Sequence, residues 1–534
     1  MTAGHLVQSV DWLAVAPPAI TAAAALAVLV ADLFLGERRA PLLGAVSVAG
    51  LALALLSLLP LRAGDRSTFC LAGGAGQGRV CSYTADHFTL VVQLLVLGGA
   101  LLTALLSMPG RAPHDPGQDG LPGEYWFLLL ASASGAALLP ASRDLATLVV
   151  ALEVASLPAF ALVGIRRGDR LSAEAALKFF LSSVTATAVM LLGVSFVYAA
   201  TGTLHLTAVA DALPHVPGQL QVLAKTGVLL TLVGFAFKTA AAPFHFWVPD
   251  TYVGAPLPIA AYLSVVSKAV GFSGLILVAV VAFPPYAHLW APALAVLAAL
   301  TMSVGNAAAL RQAQDRARGA VRLLAWSSVA QAGYLLVPIA AAGYAGQRAV
   351  GSTVAYALMY AAVNLGAFGV AALVARTSPL NRIADYRGLY ARRPAAALAL
   401  AFFLLCLAGL PPGVIGLFAK VTVFSSAVDA GLGWLATVMG ANVACALYYY
   451  LRWTALLFRA GPEAAPGPEA APEPDAAAAS ATEQAPALAA APARPAVPRA
   501  PGPVVTAVAL AAVAGVALSG APQLVLRFTD MHLF

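Results

Sequence analysis

Phe237-Lys238-Thr-Ala-Ala-Ala-Pro243-Phe-His245-Phe-Trp-Val-Pro-Asp250-Thr-Tyr-Val-Gly254, followed by Ser267-Lys268-Ala-Val-Gly271, is the stretch on which the reading of this chain turns. It begins at the end of an apolar run and places a lysine five residues before a proline. Proline donates no backbone hydrogen bond and clashes with the preceding turn, so the helix breaks there. In lipid, carbonyls freed by a break persist only where protein or trapped water satisfies them. A lysine beside such a break is placed to exchange protons with that water, and His245 titrates near neutrality and is a candidate relay or a helix-end hydrogen-bonding residue.

The rest of the chain makes lipid the right solvent to assume. The 534 residues are 61% hydrophobic and only 10% charged, against about 25% charged in soluble domains. A run of about 20 apolar residues spans a bilayer, and the sequence predicts about fourteen such spans. The fold class is therefore an all-α polytopic membrane protein. Residues 1–110 form an N-terminal three-helix segment, and 124–282 and 289–458 form two sets of five helices. Residues 460–502 are an Ala/Pro-rich cytoplasmic linker too poor in core-forming residues to fold, and 503–534 carry a last helix. Spans seven and twelve read as broken, at Ala241-Ala242-Pro243 and at Leu410-Pro411-Pro412-Gly413. The broken span is the fourth of each set. An odd number of spans per set makes the two copies run in opposite directions, an inverted-repeat design with its site near the midplane.

Basic residues split by type. The lysines are five: Lys178, Lys225, Lys238, Lys268 and Lys420, all in or beside apolar segments, while the 25 arginines fall almost entirely in loops. With the N-terminus outside, the cytoplasmic loops hold 19 arginines and the outer loops 6. This bias gives the orientation, with both termini outside. The excess of +7 is thus a membrane-topology signal and not a nucleic-acid footprint. The N-terminus lacks the basic residues of a signal peptide. Cys70 and Cys81 share an outer loop, where a disulfide is allowed. Cysteine spacing offers no metal site, and Gly74-Ala-Gly76-Gln-Gly78 lies between spans without a nucleotide-binding context. The tryptophans fall near predicted span ends, as an interfacial belt would.

Buried lysine is costly unless it does something. Glu153, in the middle of span five, must be neutral or paired, and its natural partners are Lys238 and Lys178; a structural ion pair between helices is the simpler alternative. Lys268 is central in span eight, too deep to reach the interface. Lys420 follows the second break. Lys178 lies nearer a helix end, and Lys225 reaches the outer interface. Asn306, Gln331, Tyr334, Tyr360 and Asn364 either complete a wet path from Lys268 to Lys420 or serve singly as interhelical hydrogen bonds.

The stretch from Lys238 to Pro258 with Lys268, together with Glu153, Glu174-Ala-Ala-Leu-Lys178-Phe-Phe and Gly409-Leu-Pro-Pro-Gly413 before Lys420, resembles the antiporter-like proton-translocating membrane subunits of respiratory complex I, the NADH–quinone oxidoreductase. The resemblance covers roughly 86–458, and Lys420 favours the N branch over the M branch, expected to carry Glu there. It implies two inverted five-helix repeats and proton transfer along a Glu153–Lys238 pair, a central Lys268 and a terminal Lys420; Lys178 and His245 are further candidates for proton transfer by their own residue chemistry. It implies no redox centre in this chain; NAD, FMN, iron–sulfur clusters and quinone would belong to partner subunits. The expected partners are M-like and K-like membrane neighbours and lipid, in a bacterial cell membrane. A related multisubunit cation/proton antiporter is the alternative, and a pure scaffold would not explain the buried lysines.

Overall fold

In a computed structural model, residues 10–35, 40–71, 80–108, 121–460 and 501–529 are described. The linker expected at 460–502 and the glycine loop at 74–78 lie outside them but for the linker's two ends.

The chain begins with α1 (Trp12–Phe34) and α2 (Ala40–Leu56), then a hairpin of β1 (Arg66–Leu71) and β2 (Val80–Ala85), then α3 (His87–Ser107). The first five-helix set comprises α4 (Gly123–Leu138), α5 (Leu145–Val163), α6 (Arg170–Thr201), the short α7 (Leu206–Ala212) and α8 (Gln221–Lys238). It continues through α9 (Trp247–Gly254), α10 (Leu257–Tyr262) and α11 (Lys268–Ile276). The second set comprises α12 (Ala287–Leu310), α13 (Gly319–Ala345), α14 (Val350–Ala375), the short α15 (Leu389–Arg392), α16 (Pro394–Ala408), α17 (Val414–Asp429) and α18 (Gly433–Phe458). The chain closes with α19 (Gly502–Gly520) and the single turn α20 (Gln523–Leu526).

Twelve helices among the described residues are long and apolar enough to cross a membrane. The other two expected spans are the shorter α4 and the twelfth, divided into α16 and α17. The scarce carboxylates are spent at helix starts, where four backbone N–H groups lack partners. Asp11 accepts from the amides of Leu13 and Ala14, Asp86 from Thr89, Asp144 from Thr147 and Asp169 from Leu171.

Both predicted breaks are present. Span seven stops at Lys238 and resumes at Trp247, with Ala240 at a φ of 62° between them. Span eight is one unbroken rod in the sequence but contains wide π-type turns at Leu263–Ser267 and Leu277–Ala282, flanking Lys268. In span twelve, Gly409 has a φ of 82°, a left-handed conformation that suits glycine. A Cβ on Gly416 would collide with the Cys406 carbonyl, so α17 can cross the end of α16 only with glycine there.

Two features depart from the sequence reading. The hairpin interrupts an otherwise helical fold, with Cys70 opposite Cys81 and a disulfide between them. The tryptophans do not form a belt: Trp126, Trp247, Trp290 and Trp453 are fully buried, while Trp12 and Trp434 face outward. Their rings fill gaps between helices, where apolar area outweighs the interfacial preference. The lysines separate: Lys238, Lys268 and Lys420 are buried, whereas Lys178, nearer a helix end, is exposed.

Candidate functional site

Lys238 is the last residue of α8, where unpaired carbonyls and the helix dipole favour a cation. Its Nζ donates to Ser156 Oγ at 2.8 Å and to Ser183 Oγ at 2.7 Å. The rings of Phe160, Phe179 and Phe237 surround the amine at 5.4 to 6.0 Å. The break beyond it is held from two sides. Trp247 Nε1 donates to the Phe237 carbonyl at 3.2 Å, and the Ala242 amide donates to Thr301 Oγ1 of α12 at 2.8 Å.

Glu153 does not touch Lys238 as the sequence suggested. Its Oε1 accepts from Thr187 Oγ1 at 2.7 Å, and no ion pair within 4.0 Å forms on it among the described residues. Glu153 and Ser156 are three residues apart on α5, and Thr187 and Ser183 four apart on α6. Such spacings share a helix face. The Glu153–Thr187 contact and the Ser156–Lys238–Ser183 contact are therefore neighbouring rungs of one interface, about 5 Å apart along the helices. Hydroxyls stand between acid and amine.

Lys178 lies elsewhere. Its amine pairs with Glu174 at 2.8 Å and Asp250 at 2.9 Å, and Arg322 approaches Asp250 at 3.5 Å. This tie links α6, α9 and α13 at the bundle surface and leaves Lys178 out of the buried row. His245 sits between α8 and α9 with its ring 5.6 Å from that of Trp326. Its Nδ1 is buried without a hydrogen bond.

A cavity lined by Lys238, Ser132, Tyr262 and Ser267 lies on the side of Lys238 that faces the α10–α11 rod. Its volume is about 10 Å³, room for one water. Tyr262 donates to Ser132 Oγ at 2.9 Å on its wall. Beyond it, Lys268 Nζ donates to Ser328 Oγ at 2.6 Å and to the Ser328 carbonyl. Ser328 Oγ meets the Tyr360 hydroxyl at 2.7 Å.

A polar seam continues from there toward Lys420. Tyr450 joins Ser327 and Gln331, and Gln331 accepts from Tyr356. The Tyr356 ring stacks on Tyr334, whose ring lies 5.8 Å from Lys420 Nζ. Lys420 Nζ donates to the carbonyls of Leu407 at 2.8 Å and Ala408 at 2.7 Å. These are end-of-helix carbonyls of α16 that the break leaves without intrahelical partners. The cation thus sits at the negative end of a helix dipole.

Of the polar residues singled out in the sequence, Gln331, Tyr334 and Tyr360 fall on this seam. Asn364 donates to Ser264 Oγ at 2.7 Å beside it. Asn306 instead joins Tyr449 and Asn442, tying α12 to α18. Ser156, Ser183, Thr187, Ser327, Ser328, Tyr356 and Tyr450 were missed. Their signal was present in part: Ser327, Gln331 and Tyr334 recur at helical spacing, as do Tyr356, Tyr360 and Asn364. Among the described residues no group of three or more His, Cys, Asp or Glu could hold a metal ion.

Three buried lysines in a helical membrane bundle, each amine held by hydroxyls or by carbonyls at a helix end, mark an antiporter-like class of polytopic membrane protein. The family described as NADH:quinone oxidoreductase/Mrp antiporter, TM, matches residues 142–444. NADH-quinone oxidoreductase subunit N 2 of Streptomyces griseus is 72% identical over 100% of this chain and 96% of its own length. A chain of respiratory complex I from Thermus thermophilus with bound aureothin is 33% identical, with a TM-score of 0.70 over 96% of this chain and 98% of that one. A chain of the Mrp complex from Dietzia sp., at 20% identity and a TM-score of 0.75 over 97% of this chain and 96% of its own, shares the fold. The chain belongs to the NADH-quinone oxidoreductase subunit N family.

Proposed function

We propose that this chain moves protons through the membrane arm of a NADH–quinone oxidoreductase, along Lys238, Lys268 and Lys420, driven by quinone reduction in partner subunits. The observation that carries the reading is the row of three sealed amines, each held by hydroxyls or free carbonyls, with a polar seam between the second and third. NAD, FMN, iron–sulfur clusters and quinone are handled by those partners, and M-like and K-like subunits flank this one.

Glu153 acts on Lys238 across the paired hydroxyls of Thr187, Ser183 and Ser156. A carboxylate one rung away favours the ammonium, and drawing it off removes that attraction in a poorly screened interior. The proton then passes from Lys238 Nζ through water in the adjoining cavity toward Lys268, and through the hydroxyls of the seam toward Lys420. The Lys178–Asp250–Arg322 tie anchors α9, the half of the broken helix beyond Lys238. His245 stands at the entry to that break. The two five-helix sets act as inverted repeats.

Both termini lie outside a bacterial cell membrane. Support comes from the hairpin end of the bundle: Asp11 pairs with Arg66 of β1, and Arg527 shares a cavity with Arg62 and His87. The disulfide at that end fits an oxidising compartment.

The test is proton uptake per NADH oxidised in vesicles holding the assembled complex. Lys238→Ala and Glu153→Ala are expected to abolish this chain's share of pumping. Assembled variants that both pump at the parental ratio would overturn the assignment.

A further inference from the structure

Six arginines lie at the hairpin end of the bundle by the sequence reading: Arg62, Arg66, Arg79, Arg143, Arg348 and Arg527. Arginine is disfavoured on that side, so each calls for a reason. Arg79 lies outside the described residues; Arg66 pairs with Asp11 and Arg143 with Asp86. Arg348 shares a cavity with Asp429. Among the described residues, Arg62 and Arg527 form no ion pair within 4.0 Å. They are far apart in sequence, yet both line one cavity of about 500 Å³.

The cavity has two characters. One wall is aliphatic, built by Leu55 of α2, Leu58 just beyond it, and Val91 and Leu94 of α3. Its rim is basic, with Arg62, Arg527 and His87. Leu94 lies seven residues beyond His87, so the apolar wall runs about 10 Å down the helix axis from the rim. The acidic groups nearby are already engaged. Asp65 is 3.8 Å from His87, and Asp86 holds Arg143 while capping α3. The tail supplies the lid: Phe528 is buried against α14, and α19 packs along α3 and α14.

We propose that this groove seats an anionic phospholipid of the leaflet at the hairpin end, its phosphate between Arg62 and Arg527 and an acyl chain along Leu58, Val91 and Leu94. A free anion would use the arginines and leave the aliphatic wall idle. A neutral lipid would use the wall and leave two cations without a counter-charge. The bound lipid bridges α2 and α3 to the C-terminal segment, which reaches this face only after a long linker. The site lies apart from the lysine row and does not rest on proton transfer.

The experiment places the intact complex in phosphatidylcholine nanodiscs doped with a photoactivatable phosphatidylglycerol, or with a photoactivatable phosphatidylcholine as the control. Labelled peptides of this chain are mapped by mass spectrometry. The expected result is labelling of the segments around Leu58, Leu94 and Phe528 by the phosphatidylglycerol probe, well above the phosphatidylcholine probe. Each arginine near an anionic headgroup is worth about fivefold in binding, so Arg62→Gln with Arg527→Gln should cut that labelling by about 25-fold. Equal labelling by the two probes, or labelling unmoved in the assembled double variant, overturns the proposal. So does a cross-link from the groove to an acidic segment of a neighbouring subunit in place of lipid. The two-probe comparison needs no variant, so it stands if the substitutions impair assembly.

Discussion

Removing Ser156 and Ser183 together would test the proton-path reading at its narrowest point. The two hydroxyls take the only side-chain hydrogen bonds found on Lys238 among the described residues, at 2.8 and 2.7 Å. Ser→Ala deletes one oxygen each and leaves the helix contacts of α5, α6 and α8 in place. A hydrogen bond to a charged group contributes about 1.5–3 kcal/mol, and a neutral one about 0.5–1.5 kcal/mol. The ammonium of Lys238 is therefore weakened relative to the amine by about 1 kcal/mol per serine, or about 2 kcal/mol for the pair. That is roughly a 30-fold loss in occupancy of the loaded state at fixed pH. The Phe160, Phe179 and Phe237 rings at 5.4 to 6.0 Å cannot replace a directed hydrogen bond. The assay follows NADH oxidation and dye-reported acidification together in vesicles of the assembled complex. The ratio of protons to NADH is expected to fall as far as in Lys238→Ala. Ser182→Ala, whose hydroxyl bonds carbonyls of its own helix, is expected to pump normally. A Ser156→Ala/Ser183→Ala complex with the parental ratio would refute the claim that these hydroxyls hold the loaded lysine.

Two further outcomes follow from local geometry. Gly416→Ala drives a Cβ into the Cys406 carbonyl, and such overpacking costs about 1–3 kcal/mol; calorimetry of the purified complex should show an earlier unfolding step, and an unchanged step would mean that α16 and α17 can separate freely. At the membrane surface, the hydrogen bond from Arg66 holds the Asp11 carboxyl below its ordinary 3.8. A depressed carboxylate stabilises the fold above the ordinary value and loses that contribution as pH falls through the folded one. Amide exchange at Leu13 and Ala14 should therefore quicken relative to the core below about pH 4, and Asp11→Asn should remove this acid dependence.

The membrane class, the two broken spans and the lysines were legible because each rests on a local rule. Apolar length, proline's missing donor and the cost of charge in lipid act within a few residues of sequence. The hairpin was not legible, because its strands are short and stand between two long apolar runs.

What sequence alone determined is which residues could not be left to chance in lipid: Lys238 and Lys420 beside helix breaks, and Lys268 deep in an apolar run. What tertiary structure decided is the company they keep. Glu153 meets Thr187 and not Lys238, Lys178 joins Asp250, and Lys420 takes the carbonyls of a helix other than its own. Serine and threonine are commonplace in membrane helices, and their hydroxyls acquire meaning only when helix crossings bring them within 3 Å of an amine. Those crossings depend on how side chains interlock across helices distant in sequence, a long-range property that no local pattern encodes.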